Sequence, residues 1–240
     1  MKKPIVTTLV TVFVFLTNIA VAQTLDEILN NHFKAIGQDK LTVAKSVYIK
    51  ANVNQMGNDI QMEMKVKRPD KLLINMEMQG QKITQAFDGE KGWMIVPGMG
   101  SEPQELTGEM LAQLKQQPES IIESDFYNYK EKGSTIDFIG KVNADSNEAY
   151  RIKLTTSDGN TNDYFIDTNT YLIKKILAKV SSGGQSVEVE QKLSDYKTID
   201  GITMPLKIEQ NSPVGIITIA IDEIRFNENF DDSIFEQPLQ

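Results

Sequence analysis

Residues 59–97 read DIQMEMKVKRPDKLLINMEMQGQKITQAFDGEKGWMIVP, and the spacing of apolar side chains in that stretch decides the fold. Ile60, Met62, Met64 and Val66 alternate with Gln61, Glu63, Lys65 and Lys67, a period of two. Arg68-Pro69-Asp70 breaks the pattern, and Leu72, Ile74, Met76 and Met78 then resume it. Successive side chains of a strand point to opposite faces, so each run puts its apolar residues on one side of a sheet. Gln79-Gly80-Gln81 and Asp88-Gly89 supply the next tight turns, and Trp93, Met94, Ile95 and Val96 form a short strand ending at Pro97-Gly98. Connections this short cannot carry parallel crossovers, so the stretch is a meander of three or four antiparallel strands. Eight of the chain's ten methionines lie from Met56 to Met110. Methionine is unbranched and polarizable, and it adapts to irregular apolar contents better than Leu or Val does. The methionine face is therefore expected to line a cavity for something apolar.

Upstream, Val43 to Val53 reads as the strand that enters this meander through a turn at Gly57-Asn58-Asp59. Before it, Thr24 to Ile36 has the pattern of an amphipathic helix. Thr24 and Glu27 have capping-box spacing, Leu25, Ile28, Leu29, His32 or Phe33, and Ile36 share a face, and Gly37 suits the left-handed end. The helix is expected to lie across the sheet and close one end of it. His32, the only histidine, stands without clustered acids, reads as a packing or capping residue and is assigned no role.

Downstream, Gly98 to Tyr129 loses the alternation. A helix is expected from Gln104 or Thr107 to Gln117, with Met110, Leu111 and Leu114 on one stripe. Pro118 suits the first turn of a second short helix carrying Ile121, Ile122 and Phe126. Helices inserted midway through a meander must bury their apolar stripe, and the open face of the sheet is the available place. Such a pair is either a movable lid or a permanent cover. From Ser134 strands return: Thr135 to Asn143, Glu148 to Thr156, Asp163 to Asp167, Leu172 to Val180, Ser186 to Tyr196, Ile202 to Gln210 and Ile216 to Phe226. Their turns include Ser157-Asp158-Gly159-Asn160, Gly183-Gly184, Asp200-Gly201 and Pro213-Val214-Gly215. The tail, Asp231 to Pro238, is expected to tuck in Ile234 and Phe235. The fold expected is mainly β with a few helices: a curled antiparallel sheet, or half-barrel, covered by an N-terminal helix and a mid-chain helical lid.

Met1-Lys2-Lys3, an apolar run from Ile5 to Leu16 and the small-x-small site Ala20-Val21-Ala22 make residues 1–22 a secretory signal peptide. The apolar run is shorter than the roughly 20 residues that span a bilayer. The mature chain, residues 23–240, is expected to be one domain, soluble outside the cytoplasm. There is no cysteine, which removes disulfides, thiol chemistry and an acylated N-terminal Cys. The formal charge is −8, and loss of Lys2 and Lys3 takes it to −10. So acidic a chain does not suit nucleic acid or anionic membrane surfaces.

Catalytic patterns are missing. There is a single His, no glycine-rich phosphate loop, and no HExxH or GxSxG. Asp222-Glu223 and Asp231-Asp232 are adjacent acids that a strand would point to opposite faces. Asp158, Asn160 and Asp163 offer oxygens for a calcium ion, but hairpin turns use the same residues for backbone reasons. No enzyme activity, no cofactor and no metal is expected.

Two local patterns carry a likeness. Val66-Lys67-Arg68-Pro69 followed by Leu72-Leu73-Ile74-Asn75-Met76 resembles the strand–turn–strand of the bacterial lipoprotein carriers, the LolA/LolB-like family. The spacing Asp88-Gly89, Trp93, Pro97 resembles that family's next hairpin, and Phe235 to Pro238 its Phe-x-x-Pro tail. The resemblance implies a half-closed antiparallel barrel with helices over its mouth, carrying acylated lipoproteins or lipids across the periplasm for sorting to the outer membrane. It implies an inner-membrane donor, an outer-membrane acceptor and a monomeric carrier. It also implies that Arg68 bonds to the lid and keeps it shut, as a guanidinium can bond orphan carbonyls at a helix end. The cavity would be lined by Met62, Met64, Ile74, Met76, Met78 and Trp93 from the sheet. Met110, Leu111 and Leu114 would close it from the helix. The carriers have an aromatic shortly after the proline where this chain has Leu72 and Leu73, and its second half is longer. Related domains act as envelope-stress sensors, so a protein-binding scaffold of the same fold is the alternative.

Overall fold

In a computed structural model of the chain, described for residues 23–98, 100, 102–145, 147–182, 185–212 and 215–238, the alternating stretches form one antiparallel sheet. Residues 1–22, expected to be a signal peptide, and the expected turn positions Gly183-Gly184 and Pro213-Val214 lie outside the described residues. The first six strands are β1 (Ser46–Gln55), β2 (Asn58–Lys67), β3 (Lys71–Met78), β4 (Gln81–Phe87), β5 (Gly92–Ile95) and β6 (Gln104–Leu106). After the helix α3 (Gly108–Ile122) come β7 (Thr135–Ala144), β8 (Asn147–Thr155), β9 (Thr161–Asp167) and β10 (Ile173–Ser182). The chain ends with β11 (Gln185–Ile199), β12 (Ile202–Ser212) and β13 (Gly215–Phe226), then a single 3₁₀ turn at Asp232–Ile234.

The strand order is β6-β5-β4-β3-β2-β1-β13-β12-β11-β10-β9-β8-β7. Two meanders thus meet where β1 pairs with β13, Val47 opposite Phe226 and Val53 opposite Ile219. The edges β6 and β7 stay apart, so the sheet is curled and not closed into a barrel. Register keeps one face apolar from strand to strand: Val66 lies opposite Leu72, Met64 opposite Ile74 and Met62 opposite Met76. The same face continues through Ile219 opposite Ile208 and on to Leu193, Val189 and Ala178.

Both ends of this inner face are covered by helices. The helix α1 (Leu25–Ile36) has Thr24 and Glu27 as a complete capping box and Gly37 in the left-handed region at φ 71°. It buries Ile28 and Leu29 against Tyr150, Ile152, Tyr164 and Ile166 of β8 and β9. At the other end α3 buries Leu114 and Ile122 against Val66, Leu72 and Phe87. The approach is close: a side chain on Gly92 of β5 would stand 2.8 Å from the Leu111 Cδ1 atom and 3.1 Å from Leu114 Cδ2.

Three expected elements differ. Residues Gln38–Val43 form a short helix, α2, so β1 starts at Ser46 and Val43 is 74 % exposed. Gln104–Leu106 is an edge strand and not the start of a helix. The mid-chain region is one helix and not two, with Pro118 inside it. Pro118 lies four residues from both Leu114 and Ile122, so its ring joins their buried stripe. That burial offsets the lost backbone bond and ring clash, about 3 kcal/mol.

Candidate functional site

Beyond the edge of α3 the inner face remains partly open. Met62, Met64, Met76 and Met94 are half-buried against the core beneath the helix, and Ile219 and Ile221 of β13 are packed the same way. Ile74 is buried among them and Leu114 fully so, while Leu111 is half-buried beside it. The structure therefore gathers Met62, Met64, Ile74, Met76, Leu111 and Leu114 on one apolar surface. Met78, at 37 % exposure, and Met110, at 51 %, lie at its open margin.

Trp93 is not part of that surface. It pairs with Ala86, and Ala86 pairs with Leu73, which puts all three on the outer face. There Trp93 is buried with Tyr48, Phe230 and Phe235, and its Nε1 donates to the Phe235 carbonyl at 2.8 Å. Lys67 donates to the Phe230 carbonyl and, with Lys71, pairs with Asp232, so the tail is clipped to the back of the sheet.

Arg68, in the turn between β2 and β3, reaches the ends of two helices. Its Nε donates to the Ala44 carbonyl at 2.9 Å, and one terminal nitrogen donates to Leu41 and Ile122 carbonyls at 3.2 Å each. The other terminal nitrogen lies 3.4 Å from Glu123 Oε1. A helix leaves its last carbonyls without intrahelical donors, and the planar guanidinium fork supplies five donors to such groups. Arg68 thus ties the C-terminal ends of α2 and α3 to each other and to the sheet.

The segment after α3 is pinned as well. Gln38 Oε1 accepts from the Ser124 amide at 3.1 Å, and Ser124 Oγ lies 3.3 Å from His32 Nε2. The other ring nitrogen of His32 donates to the Tyr171 carbonyl at 2.8 Å. Burial holds this imidazole below its ordinary pKa, the Tyr171 bond opposing the shift. Lys132 joins Glu119 at 2.7 Å to Glu123 at 3.2 Å. Sequence reasoning found Arg68 but not these partners. Glu119 and Glu123 do stand four residues apart on one helical stripe, a signal that could have marked them; backbone carbonyls leave none.

The Asp158 carboxylate accepts from Thr156 and Asn160 within its own turn, and the Asp163 carboxylate accepts from Nε and one terminal nitrogen of Arg151. Among the described residues no group of three or more His, Asp or Glu side chains could hold a metal ion.

No family model matches the sequence, and a search of curated proteins finds no match. Solved structures do match. A LolA superfamily protein from Nitrosomonas europaea superposes with a TM-score of 0.57 at 15 % identity, over 90 % of this chain and 98 % of that one. The chain has a LolA-like fold. A domain assigned to an outer membrane lipoprotein-sorting protein of Vibrio parahaemolyticus gives 0.56 at 10 % identity, covering 87 % of this chain and 97 % of that one. A DUF1329 family protein from Desulfovibrio piger gives 0.58 at 15 % identity, with the same two coverages. In this fold α1 and α3 cover the apolar inner face, and Arg68 sits where α2, α3 and the sheet meet.

Proposed function

We propose that the chain is a non-catalytic periplasmic carrier, exported by the signal peptide of residues 1–22, that holds acyl chains of a lipid or lipoprotein on its inner face. One observation carries the reading: a half-open apolar surface rich in methionine runs under a helix whose C-terminal end is tied down by polar contacts, those of Arg68 first and those of Gln38 and Lys132 beside them. Such a helix is a cover that detaches without unfolding the sheet. Each acyl CH₂ transferred from water gains about 0.8 kcal/mol, so affinity needs a dry apolar surface and no specific chemistry. The lipoprotein-sorting assignment of one structural neighbour supports the same reading. Donor and acceptor proteins at the two membranes would load and unload a monomeric carrier.

Uptake of a fluorescent fatty acid by purified protein tests it. Met64→Lys or Met76→Lys places a charge on the surface and should weaken uptake at least tenfold, since an unpaired charge is costly next to hydrocarbon. Uptake equal to the parent's in both variants would leave the rival, a protein-binding scaffold whose inner face is a sealed core. Lipid found with freshly purified protein would speak against that rival.

A further inference from the structure

A cleft of about 570 Å³ opens on the polar side of α3. Gln116, Glu119, Ser120 and Glu123 form its helical wall, at spacings that share one face. Opposite stand Asn162 of β9 and Ala178 of β10, with the β8–β9 turn at the rim and Asp125, Lys132 and Ser134 at the base. Asn162 and Ala178 are register partners on the inner face, and Ala178 is opposite Val189. The cleft therefore continues, through Val189, Leu193 and Ile208, into the same apolar surface that carries the methionines.

Its groups are predominantly acceptors. Of its two lysines, Lys132 is held by Glu119 and Glu123, and Lys179 alternates with Ala178 and so points away from the inner face. Asp125 is open to the cleft, and its Oδ2 accepts from the Tyr164 hydroxyl at 2.6 Å. Among the described residues no donor bonds its Oδ1. Protein on its other sides pushes its carboxyl above the ordinary carboxylate range, with Glu119 adding to that shift and Tyr164 and Lys132 opposing it. Lys132, the cation that acts on it, is already shared between Glu119 and Glu123.

We propose that this cleft seats the head group of a phospholipid bearing a primary ammonium, whose acyl chains lie along the adjoining inner face. The assignment rests on the acyl-binding reading above and names its cargo. A primary ammonium brings three N–H donors and one positive charge. Asp125 Oδ1, the Glu119 carboxylate and the hydroxyls of Ser124 and Ser134 are the acceptors it would meet. A trimethylated head group has the charge without donors, and a glycerol head group has hydroxyls without the charge.

The full chain is incubated with equal amounts of dioleoyl phosphatidylethanolamine, phosphatidylcholine, phosphatidylglycerol and free oleate, and retained lipid is counted by mass spectrometry. The ethanolamine lipid should be enriched about tenfold over the other two phospholipids, the scale of one charge-assisted hydrogen bond. Asp125→Asn, which still accepts from Tyr164, and Glu119→Gln, on the exposed side of α3, should each reduce that enrichment with oleate uptake unchanged. Retention of oleate with no preference among the phospholipids, or a preference unmoved in both variants, overturns the head-group site and leaves the acyl reading standing. Retention of nothing, oleate included, removes both. Water-soluble glycerophosphoethanolamine should not compete; competition equal to that of the intact lipid would assign the cleft to a free amine and overturn the lipid assignment.

Discussion

His32 engages both ring nitrogens, and the chemistry of its partners fixes the tautomer. A carbonyl only accepts, so Nδ1 carries the proton toward Tyr171 and Nε2 accepts from Ser124. The folded pKa lies below the ordinary 6.5, so the unfolded chain binds the proton more readily. The neutral ring's contribution to stability is thus complete above about pH 6.5 and is lost as the pH falls below it. The melting temperature should be flat above that point and decline below it, and His32→Gln should remove the decline. Asp125 has the opposite sign: its raised pKa makes acid stabilising and works against the loss at His32. Arg68 acts through geometry instead of titration. Arg68→Leu leaves the carbonyls of Leu41, Ala44 and Ile122 short of a donor. Each such bond is worth about 1 kcal/mol, enough to speed cargo release about tenfold with a smaller change in melting temperature. Release measured by transfer of a fluorescent fatty acid to vesicles checks this, and an unchanged rate would end the latch role. At this scale the family likeness pointed to Arg68 through its motif, while the sequence assigned His32 no role. It could not show the carbonyls that Arg68 bonds, because backbone partners are set by the fold and not by residue type.

Long alternating strands and the capped helix α1 were legible because periodicity and caps are local signals. The three elements that differ are short or contradict a local rule. Gln38–Val43 is only six residues and ends in Thr42 and Val43, β-branched residues that read as the start of a strand. Gln104–Leu106 is too short to show any period. Pro118 reads as a helix start because a proline inside a helix costs a hydrogen bond, and only the buried stripe of Leu114, Pro118 and Ile122 shows why the helix continues. The seating of α3 on the sheet depends on Gly92, which has no side chain to meet Leu111 and Leu114. Gly92→Val should hold the helix off the sheet. Amide exchange in α3 should speed up and binding of an apolar dye should rise, with exchange in β1 and β13 little changed. Unaltered exchange in α3 would mean that the helix adjusts by rotating its leucines.

The two sides of the sheet hold different things, and the single tryptophan reports on one of them. Trp93 was expected in the cavity because Trp93, Met94, Ile95 and Val96 are all apolar, and a continuous run carries no alternation to assign a face. Register assigns it: Gly92 opposite Phe87 and Leu106 faces inward, so Trp93 faces outward, against Phe235. The outer pocket is closed by the last turn of the chain, while the inner face is closed by helices from its beginning and middle. The indole is 3 % exposed and hydrogen-bonded to the tail, so its emission follows the tail and not the inner face. Loading the protein with a fatty acid should leave the Trp93 emission maximum where it was. Removing residues 233–240 exposes the ring by deleting Phe235, and should shift the maximum to longer wavelength while fatty-acid uptake persists. A shift on loading would mean that cargo displaces the tail, placing the acyl chains on the outer face and the methionine surface in the role of a permanent core.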